Sequence, residues 1–575
     1  MAISLRRIRA DVEAIARCTA TPGEGATRPT FSEAWAEARA YAIEQATAAG
    51  AKVRIDAAGN LHACPAELGW EAPAWLVGSH LDSVLNGGDY DGVIGVVLGL
   101  ELLRSAREDG LDALPVEVID FAEEEGPTFG LGMLGSRTWV GELDAEALAV
   151  LRNADGLSYL EAGAPHGVRS GDLTSERLDP SRYLGMIELH AEQGPGLWRR
   201  DHRLGVVRTI AGRGQYQLTV TGEPNHAGAT AMADRRDALA AAAEMVVALE
   251  SMAAELSPET VVTVGRLNPE PNAVNVIAGR VSFTIDLRAP EDSLLEDGDD
   301  LIGRRLNGIA ERRGLTVAID RTESIPARPM DDRLAGALRG VALGSYDEVP
   351  VVVSGALHDA AVVAPYVPTA MLFIPSRDGV SHNPAEFSRV EDVASAAAVV
   401  ERLVRRPTLD RLSAMGREAF LAVGGCAFEH SLWVFERAWD HRPFADLDGL
   451  MVACRRVLED ATEAERLGLI RAHPDLVGRL ARSGGLTADS TAEQAAAGLD
   501  DVTPEEASQF EAYNAAYREK FGFPFVICAR EHRKDAILRT MPVRLQNDPA
   551  TEMAAALDEI AKIGRLRLAD RLWET

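Results

Sequence analysis

The chain has no apolar run approaching ~18 residues, the length at which a helix can begin to cross a bilayer, so no membrane-spanning segment is expected. Its first residues, MAISLRRIRADVEAIARC, carry arginines but no apolar signal core. Cysteine is scarce. Cys18, Cys64, Cys426, Cys454 and Cys528 form an odd set without a CxxC pair, which fits small buried residues in a reducing compartment. A cytoplasmic protein with no membrane partner is the expectation. Positive charge is also short: 59 Lys and Arg face 88 Asp and Glu, a net charge of −29. That balance argues against a nucleic-acid partner, because phosphate binding needs a basic surface. An anionic substrate would need a local cationic pocket. No internal repeat or low-complexity segment is present.

What the chain does have is apolar material for large cores, 46% of 575 residues, enough for roughly three or four domains. Up to about Ala211 helical and strand-like patterns alternate, as in an α/β domain. From about Gly212 the texture changes. YQLTVTG, RVSFTIDLRA and LTVAID alternate apolar and polar residues, which predicts a sheet with one face covered and one free. Two helical patterns lie between these strands, and the unit ends near Ser324. The first texture returns at VPVVVSGA and PTAMLFIPS. The pattern therefore predicts an α/β domain over 1–211 and 325–406, split by an α/β insert over 212–324. From Pro407 onward the pattern is mostly helical, and 407–575 is expected to be a separate all-α domain.

The run GSHLDSVLNGGDYDGVIG, Gly78 to Gly95, follows a buried strand pattern and precedes an apolar helix pattern. It is a strand-to-helix connection, the place where ligand sites gather in open α/β sheets. His80 and Asp91 flank its glycines. Glu123, Glu124 and Glu125 in FAEEEG, His190, Glu192 and Gln193 in IELHAEQGPG, and His382 in DGVSHNP also follow apolar runs. Imidazole and carboxylate together, without thiolate, suit Zn²⁺ or Mn²⁺. A pair of such ions needs a bridging carboxylate and a further carboxylate free to act as general base. Glu124 and Glu125 can supply one of each role. Asp82, two residues after His80, is placed to orient that imidazole.

At this point the motifs carry a resemblance. GSHLDSV…GGDYDGVIGVVLGLE, EEEG, ELHAEQGP, GEPNHAGATAM, PNAVNVIAG, FTIDLRA, SGALHDA and PSRDGVSHNP resemble the M20-type metallo-amidohydrolases, in the branch of allantoate, ureidoglycolate and N-carbamoyl-L-amino acid amidohydrolases. The resemblance implies a metallopeptidase-like α/β catalytic domain with an inserted ferredoxin-like α+β lid that also dimerises the protein. It implies two divalent ions held by His80, Asp91, Glu125, His190 and His382, with Asp91 bridging and Glu124 as general base. His226 would polarise the scissile carbonyl from the partner subunit, and Asn275 and Arg288 would bind a substrate carboxylate. The residues themselves favour Arg288, which shares a polar strand face with Ser282, Thr284 and Asp286. His358 either contacts substrate or buttresses the site. Three stretches depart from the family pattern: GPTFG after the acidic motif, Leu357 where glycine is usual, and IAGRGQYQ, which makes Gln215 the candidate polar contact there. These leave the metal chemistry in place and the substrate open.

In the helical part, FEHSLW, RAHPDLVGRL, TADSTAEQAAAGL, YREKFGFPFVICA and KIGRLRL together resemble 2-oxo-4-hydroxy-4-carboxy-5-ureidoimidazoline (OHCU) decarboxylases. The resemblance implies catalysis by His473, Glu493 and Arg567 without metal or cofactor. An arginine can hold the substrate anion, and a histidine titrating near neutrality can deliver a proton to one face. Taken as residues alone, Ser490 reads as a helix cap, and Phe521, Phe523 and Phe525 as wall or core. An OHCU decarboxylase makes allantoin, so its presence beside a ureido hydrolase favours allantoate as the hydrolase substrate. The competing expectations are an N-carbamoyl-L-amino acid or ureidoglycolate substrate, and one half serving only as a dimerisation module.

Overall fold

The computed structural model describes residues 3–108, 114–477 and 487–573. They divide into two units, Met1–Arg405 and Arg406–Thr575. In the first, β1 (Ala51–Ile55), β2 (Leu61–Pro65), β3 (Ala74–His80), β4 (Val116–Phe121), β5 (Tyr183–Ala191) and β6 (Gly205–Ile210) precede an insert. The insert holds β7 (Gly212–Thr221), β8 (Val261–Thr263), β9 (Leu267–Glu270), β10 (Arg280–Ala289) and β11 (Thr316–Ile325). Then come β12 (Arg328–Pro329), β13 (Val351–Ser354) and β14 (Thr369–Ile374).

The main sheet runs β1-β2-β4-β3-β5-β14-β6-β12, with β13 also paired to β6. Its centre, β4-β3-β5-β14, is parallel. These strands are apolar runs rather than alternating ones because both of their faces are covered: every residue of β3, β4 and β14 is buried. Packing at the centre is close. A Cβ on Gly78 would lie 1.9 Å from the Ile119 carbonyl oxygen, so β3 and β4 admit only glycine there. The strands deliver His80 and His190 to one sheet end, and Asp91 sits just before the helix Val93–Glu108, whose N-terminus favours a carboxylate.

In the insert the order is β11-β7-β10-β8, all antiparallel, with β9 also on β10. The expected alternation is present. Tyr216, Leu218, Val220, Val281, Phe283, Ile285 and Leu287 are buried in one core with Met245 and Leu249 of helix Ala238–Leu256 and Ile302 and Leu306 of helix Asp292–Arg312. Polar residues occupy the other face. Strands β8 and β9 were not legible beforehand, because three and four residues are too few to display a period of two.

All the regular elements among the described residues of the second unit are helices, joined by loops around a core that includes Phe420, Phe428, Phe435, Phe510 and Tyr517. Phe521, Phe523 and Phe525 join that core. Residues 478–480, the end of the RAHPDLVGRL motif, lie outside the described residues. Among the described residues no helix is long and apolar enough to cross a membrane.

Phe283 is fully buried between the insert's sheet and its helices. Phe283→Ala should cost about 3–5 kcal/mol, read as a lower urea midpoint and faster amide exchange in β7 and β10.

Candidate functional site

Two groups of metal-type ligands meet at the carboxyl end of the main sheet. His80, Asp91 and His190 form one, and Asp91, Glu125 and His382 form the other; within each group the ligand atoms lie within 4.8 Å of one another. Asp91 belongs to both. Its Oδ1 is 3.0 Å from His190 Nε2 and 3.8 Å from His80 Nε2, and its Oδ2 is 3.2 Å from His382 Nε2. Glu125 stands 3.4 Å from His382, and Glu124 is 3.6 Å from His80.

The backbone sets the tautomers. His80 Nδ1–H donates to the Asp82 carbonyl at 3.0 Å and His190 Nδ1–H to the Ala191 carbonyl at 2.9 Å, so both rings turn their Nε2 atoms towards Asp91. Asp82 thus orients His80 through its main chain rather than its carboxylate. The carboxylate is occupied: it accepts from the backbone N–H of Glu124 at 3.2 Å and Glu125 at 3.1 Å, and so holds the acidic turn in place. Gly92 has φ +67°, and a Cβ there would be 2.4 Å from the His80 ring. Glu123, Gln193 and His382 are non-glycine residues with positive φ, strain of the kind that gathers at functional sites.

Three further positions brace Asp91; Gln193 was singled out in the sequence, whereas Ser381 and Glu386 were not anticipated as site residues. Gln193 donates to its Oδ2 at 2.8 Å, Ser381 at 3.2 Å, and Glu386 accepts from the Tyr90 and Asp91 N–H groups at 3.0 and 3.1 Å. Glu386 lies four residues after His382, where local pattern alone reads as a loop acid.

The electrostatics show what this cluster wants. Burial opposes the charge on Asp91, but His190 and His382 hold its carboxyl well below the usual range. Burial and repulsion from neighbouring acids, Glu125 for Glu124 and Asp91 for Glu125, push both well above it. Buried Glu125 Oε1 and His190 Nε2 have no hydrogen-bond partner. Crowded carboxylates, imidazoles converging on a shared carboxylate and no thiolate are a donor set that fits divalent cations.

The same cavity, about 650 Å³, is lined by Arg288, Arg213, Glu323, Leu357 and His358. Asp286 accepts from Arg288 Nε at 2.8 Å, and the Gly355 carbonyl accepts from its Nη1 at 2.7 Å. His358 is buried against His190, ring centroids 4.3 Å apart, with Nε2 2.9 Å from Ser354 Oγ. Gln215 does not line the cavity: its amide donates to Asp286 at 3.1 Å, which makes it a support for the partner of Arg288. His226 and Asn275 also lie outside this chain's cavity, on adjoining exposed loops where the Ala227 N–H donates to the Asn275 carbonyl at 3.0 Å. His226 Nδ1 accepts from the N–H groups of Gly228 and Ala229 at 3.0 and 3.1 Å, which leaves Nε2–H pointing outward as a donor.

The helical unit has its own cleft, lined by His473, Ser490, Glu493, Phe525, Ile563 and Arg567. Arg567 Nε and Nη2 form a fork on Glu493, both at 2.8 Å. Nη1 donates to Glu429 at 2.6 Å and the Cys426 carbonyl at 3.1 Å, and Nη2 also meets Ser490 Oγ at 3.2 Å. Every guanidinium donor is therefore used, so Arg567 can take a substrate anion only as Glu493 or Glu429 yields a bond. Glu429, in the FEHSLW motif, is a site residue that sequence reasoning missed. Burial resists its ionisation, yet Arg567 holds its carboxyl below the usual range. Ser490 is not the helix cap; Thr487 is, which frees Ser490 Oγ to donate to Glu429 at 3.1 Å. His473 does not titrate near neutrality. Burial pushes it down to about 4. Its Nδ1–H donates to the Leu469 carbonyl at 3.1 Å, and its buried Nε2 is unpartnered.

Comparison with known proteins decides the family. Residues 76–406 match peptidase family M20/M25/M40, and residues 413–569 match OHCU decarboxylase. The chain belongs to the M20 family. It is an enzyme with a hydrolase part and a carboxy-lyase part. It is 36% identical to an N-carbamoyl-L-amino-acid amidohydrolase of Paenarthrobacter aurescens over 70% of this chain and 98% of that one. It is 35% identical to an allantoate amidohydrolase of Bacillus subtilis over 66% of this chain and 91% of that one. A solved amidase of the hydantoinase/carbamoylase family from Burkholderia multivorans superposes with a TM-score of 0.66 at 32% identity, covering 70% of this chain and 97% of that one. The M20-type α/β fold and the helical C-terminal region are as expected.

Two outcomes follow from this geometry. Gly92→Ala should displace the His80 ring and lower divalent-metal retention and hydrolase activity at least tenfold, by elemental analysis and substrate turnover. For His473, the unfolded chain binds the proton between the ordinary value of 6.5 and about 4, while the folded chain does not. Stability present above pH 6.5 should therefore fall as pH drops through that window, by about 3 kcal/mol. In His473→Asn the difference between urea midpoints at pH 7 and pH 4.5 should shrink accordingly.

Proposed function

We propose that the chain is a bifunctional enzyme of urate breakdown, acting on ureides. The larger unit hydrolyses allantoate, releasing ammonia and CO₂, and the helical unit decarboxylates OHCU to (S)-allantoin. The observation that carries the hydrolase reading is the sharing of Asp91 between two ligand groups in a cavity that also holds Arg288. The carboxy-lyase match on the same chain favours allantoate among ureido substrates.

His80, Asp91, Glu125, His190 and His382 would hold two divalent ions, Zn²⁺ or Mn²⁺. Bound there, such ions supply Lewis acidity that activates water and polarises the ureido carbonyl. Glu124 takes the proton of the attacking water and returns it to the leaving nitrogen. Arg288, fixed by Asp286, takes the substrate carboxylate bidentately, while His358 packs against His190 and holds its ring. The insert serves as a ferredoxin-like lid and homodimer contact. Its exposed His226, with Nε2–H outward, reaches the partner's cavity to hold the developing oxyanion, and Asn275 beside it binds the substrate carboxylate. The domain limits are 1–211 with 325–406, 212–324 and 407–575, and the protein works in the cytoplasm.

In the helical cleft no metal is needed. Loss of CO₂ leaves electrons that the ring carbonyl system takes up. Neutral His473, with Nε2 open, takes the proton that the substrate's 4-hydroxyl releases as it becomes a ring carbonyl, and passes it to one face of the ring. Glu493 and Arg567 position the substrate anion, and Glu493 exchanges its bond to Arg567 for one to substrate.

A second substrate reading has support of its own: an N-carbamoyl-L-amino-acid amidohydrolase is as similar to this chain as an allantoate amidohydrolase, 36% against 35%. Metal-reconstituted protein assayed for ammonia should turn over allantoate with a higher kcat/KM than N-carbamoyl-L-amino acids or ureidoglycolate; the reverse order would favour the second reading. Arg567→Lys, which loses the fork on Glu493, should lower (S)-allantoin formation at least about tenfold, followed by circular dichroism. Unchanged allantoin formation would make the helical unit a non-catalytic module.

A further inference from the structure

Arg213 on β7 and Arg288 on β10 stand directly opposite one another in the strand register, and both line the hydrolase cavity. Like charges in directly opposed positions destabilise a strand pair. Each arginine has its own acid. Arg288 Nε donates to Asp286 at 2.8 Å, and Arg213 Nε to Glu323 at 2.7 Å. The two pairs differ in what they present. Asp286 stays out of the cavity, so Arg288 offers only donors there. Glu323 lines the cavity beside Arg213, so this second pair offers donors and acceptors side by side.

The backbone is built to bring Glu323 there. β11 pairs with β7 in regular register up to Arg321 opposite Tyr216, then shifts, so that Glu323 rather than Thr322 faces Gln215. Gln215 lies on the polar face with Asp286 and Arg288. Without the shift Glu323 would align with Gly214 and turn to the opposite face, because a one-residue slip reverses every side chain beyond it. Both side chains are half-buried, 21% exposed for Arg213 and 33% for Glu323.

We infer that Arg213 and Glu323 form a second substrate subsite, which receives a ureido or carboxamide group other than the one being cleaved. The group's carbonyl accepts from the Arg213 guanidinium and its N–H groups donate to the Glu323 carboxylate. An arginine alone would select a carboxylate and an acid alone a cation; adjacent donors and acceptors match a neutral group carrying both. The inference rests on the hydrolase reading above and deepens it. Allantoate bears a carboxylate and two ureido groups on one carbon. With one ureido group at the Asp91 cluster and the carboxylate at Arg288, the other ureido group falls to this pair. An N-carbamoyl amino acid with an apolar side chain leaves the pair unused.

The test compares kcat/KM for allantoate, N-carbamoyl-L-asparagine and N-carbamoyl-L-alanine, using full-length, metal-loaded wild type, Arg213→Ala and Glu323→Ala. The wild type should prefer both substrates bearing the extra group over N-carbamoyl-L-alanine, and each substitution should cut that preference ratio at least about tenfold. Glu323→Gln, which keeps a carbonyl acceptor, should retain more of the ratio than Glu323→Ala, and it serves if the alanine variant does not fold. A wild type without the preference, or ratios unchanged by the substitutions, would overturn the subsite. Inert allantoate, with an N-carbamoyl-L-asparagine preference lost in the variants, would sink the allantoate reading and uphold the subsite.

Discussion

The hydrolase site depends on where one carboxylate can sit. Asp91 has imidazoles on both sides, His190 and His80 at Oδ1 and His382 at Oδ2. Holding a buried carboxylate there demands glycine at Gly92 for the His80 ring, glycine at Gly88 beside Glu386, and backbone N–H groups committed to Glu386. The main sheet supplies the frame: parallel strands whose carboxyl ends put His80 and His190 on one rim. Around this centre Glu124 and Glu125 are forced close to other acids, which is unfavourable for the protein alone and favourable once cations are bound.

The two units show contrasting ways of handling buried charge. Around Asp91 in the hydrolase cavity carboxylates crowd one another, and the buried Glu125 Oε1 is left without a partner. In the helical cleft the charges are already paired: Arg567 is saturated by Glu493, Glu429, Ser490 and the Cys426 carbonyl, and His473 is neutral. The first arrangement invites an ion. The second is preorganised and opens only by exchange of one hydrogen-bond partner for another.

Much of this was legible in the chain itself. The ligand-type residues could be picked out because each follows an apolar run, and in a parallel sheet such ends converge. The insert could be recognised because half-covered strands alternate while the flanking ones do not. What was not legible depends on register, burial or main-chain geometry. Glu323 reaches the cavity only through a shift between β11 and β7. Glu386 and Glu429 act on partners 295 and 138 residues away, beyond any local pattern. Asp82 orients His80 with its carbonyl, which every residue type possesses. His473 is neutral because it is buried, and a sequence motif does not report burial.

The most direct measurement is metal content per chain for the wild type and Asp91→Asn, by elemental analysis after exhaustive dialysis. Because one carboxylate serves both ligand groups, the wild type should retain two divalent ions and the substitution should release both together. A wild type holding one ion or none, or an Asp91→Asn protein that keeps its full complement, would contradict the shared-carboxylate account.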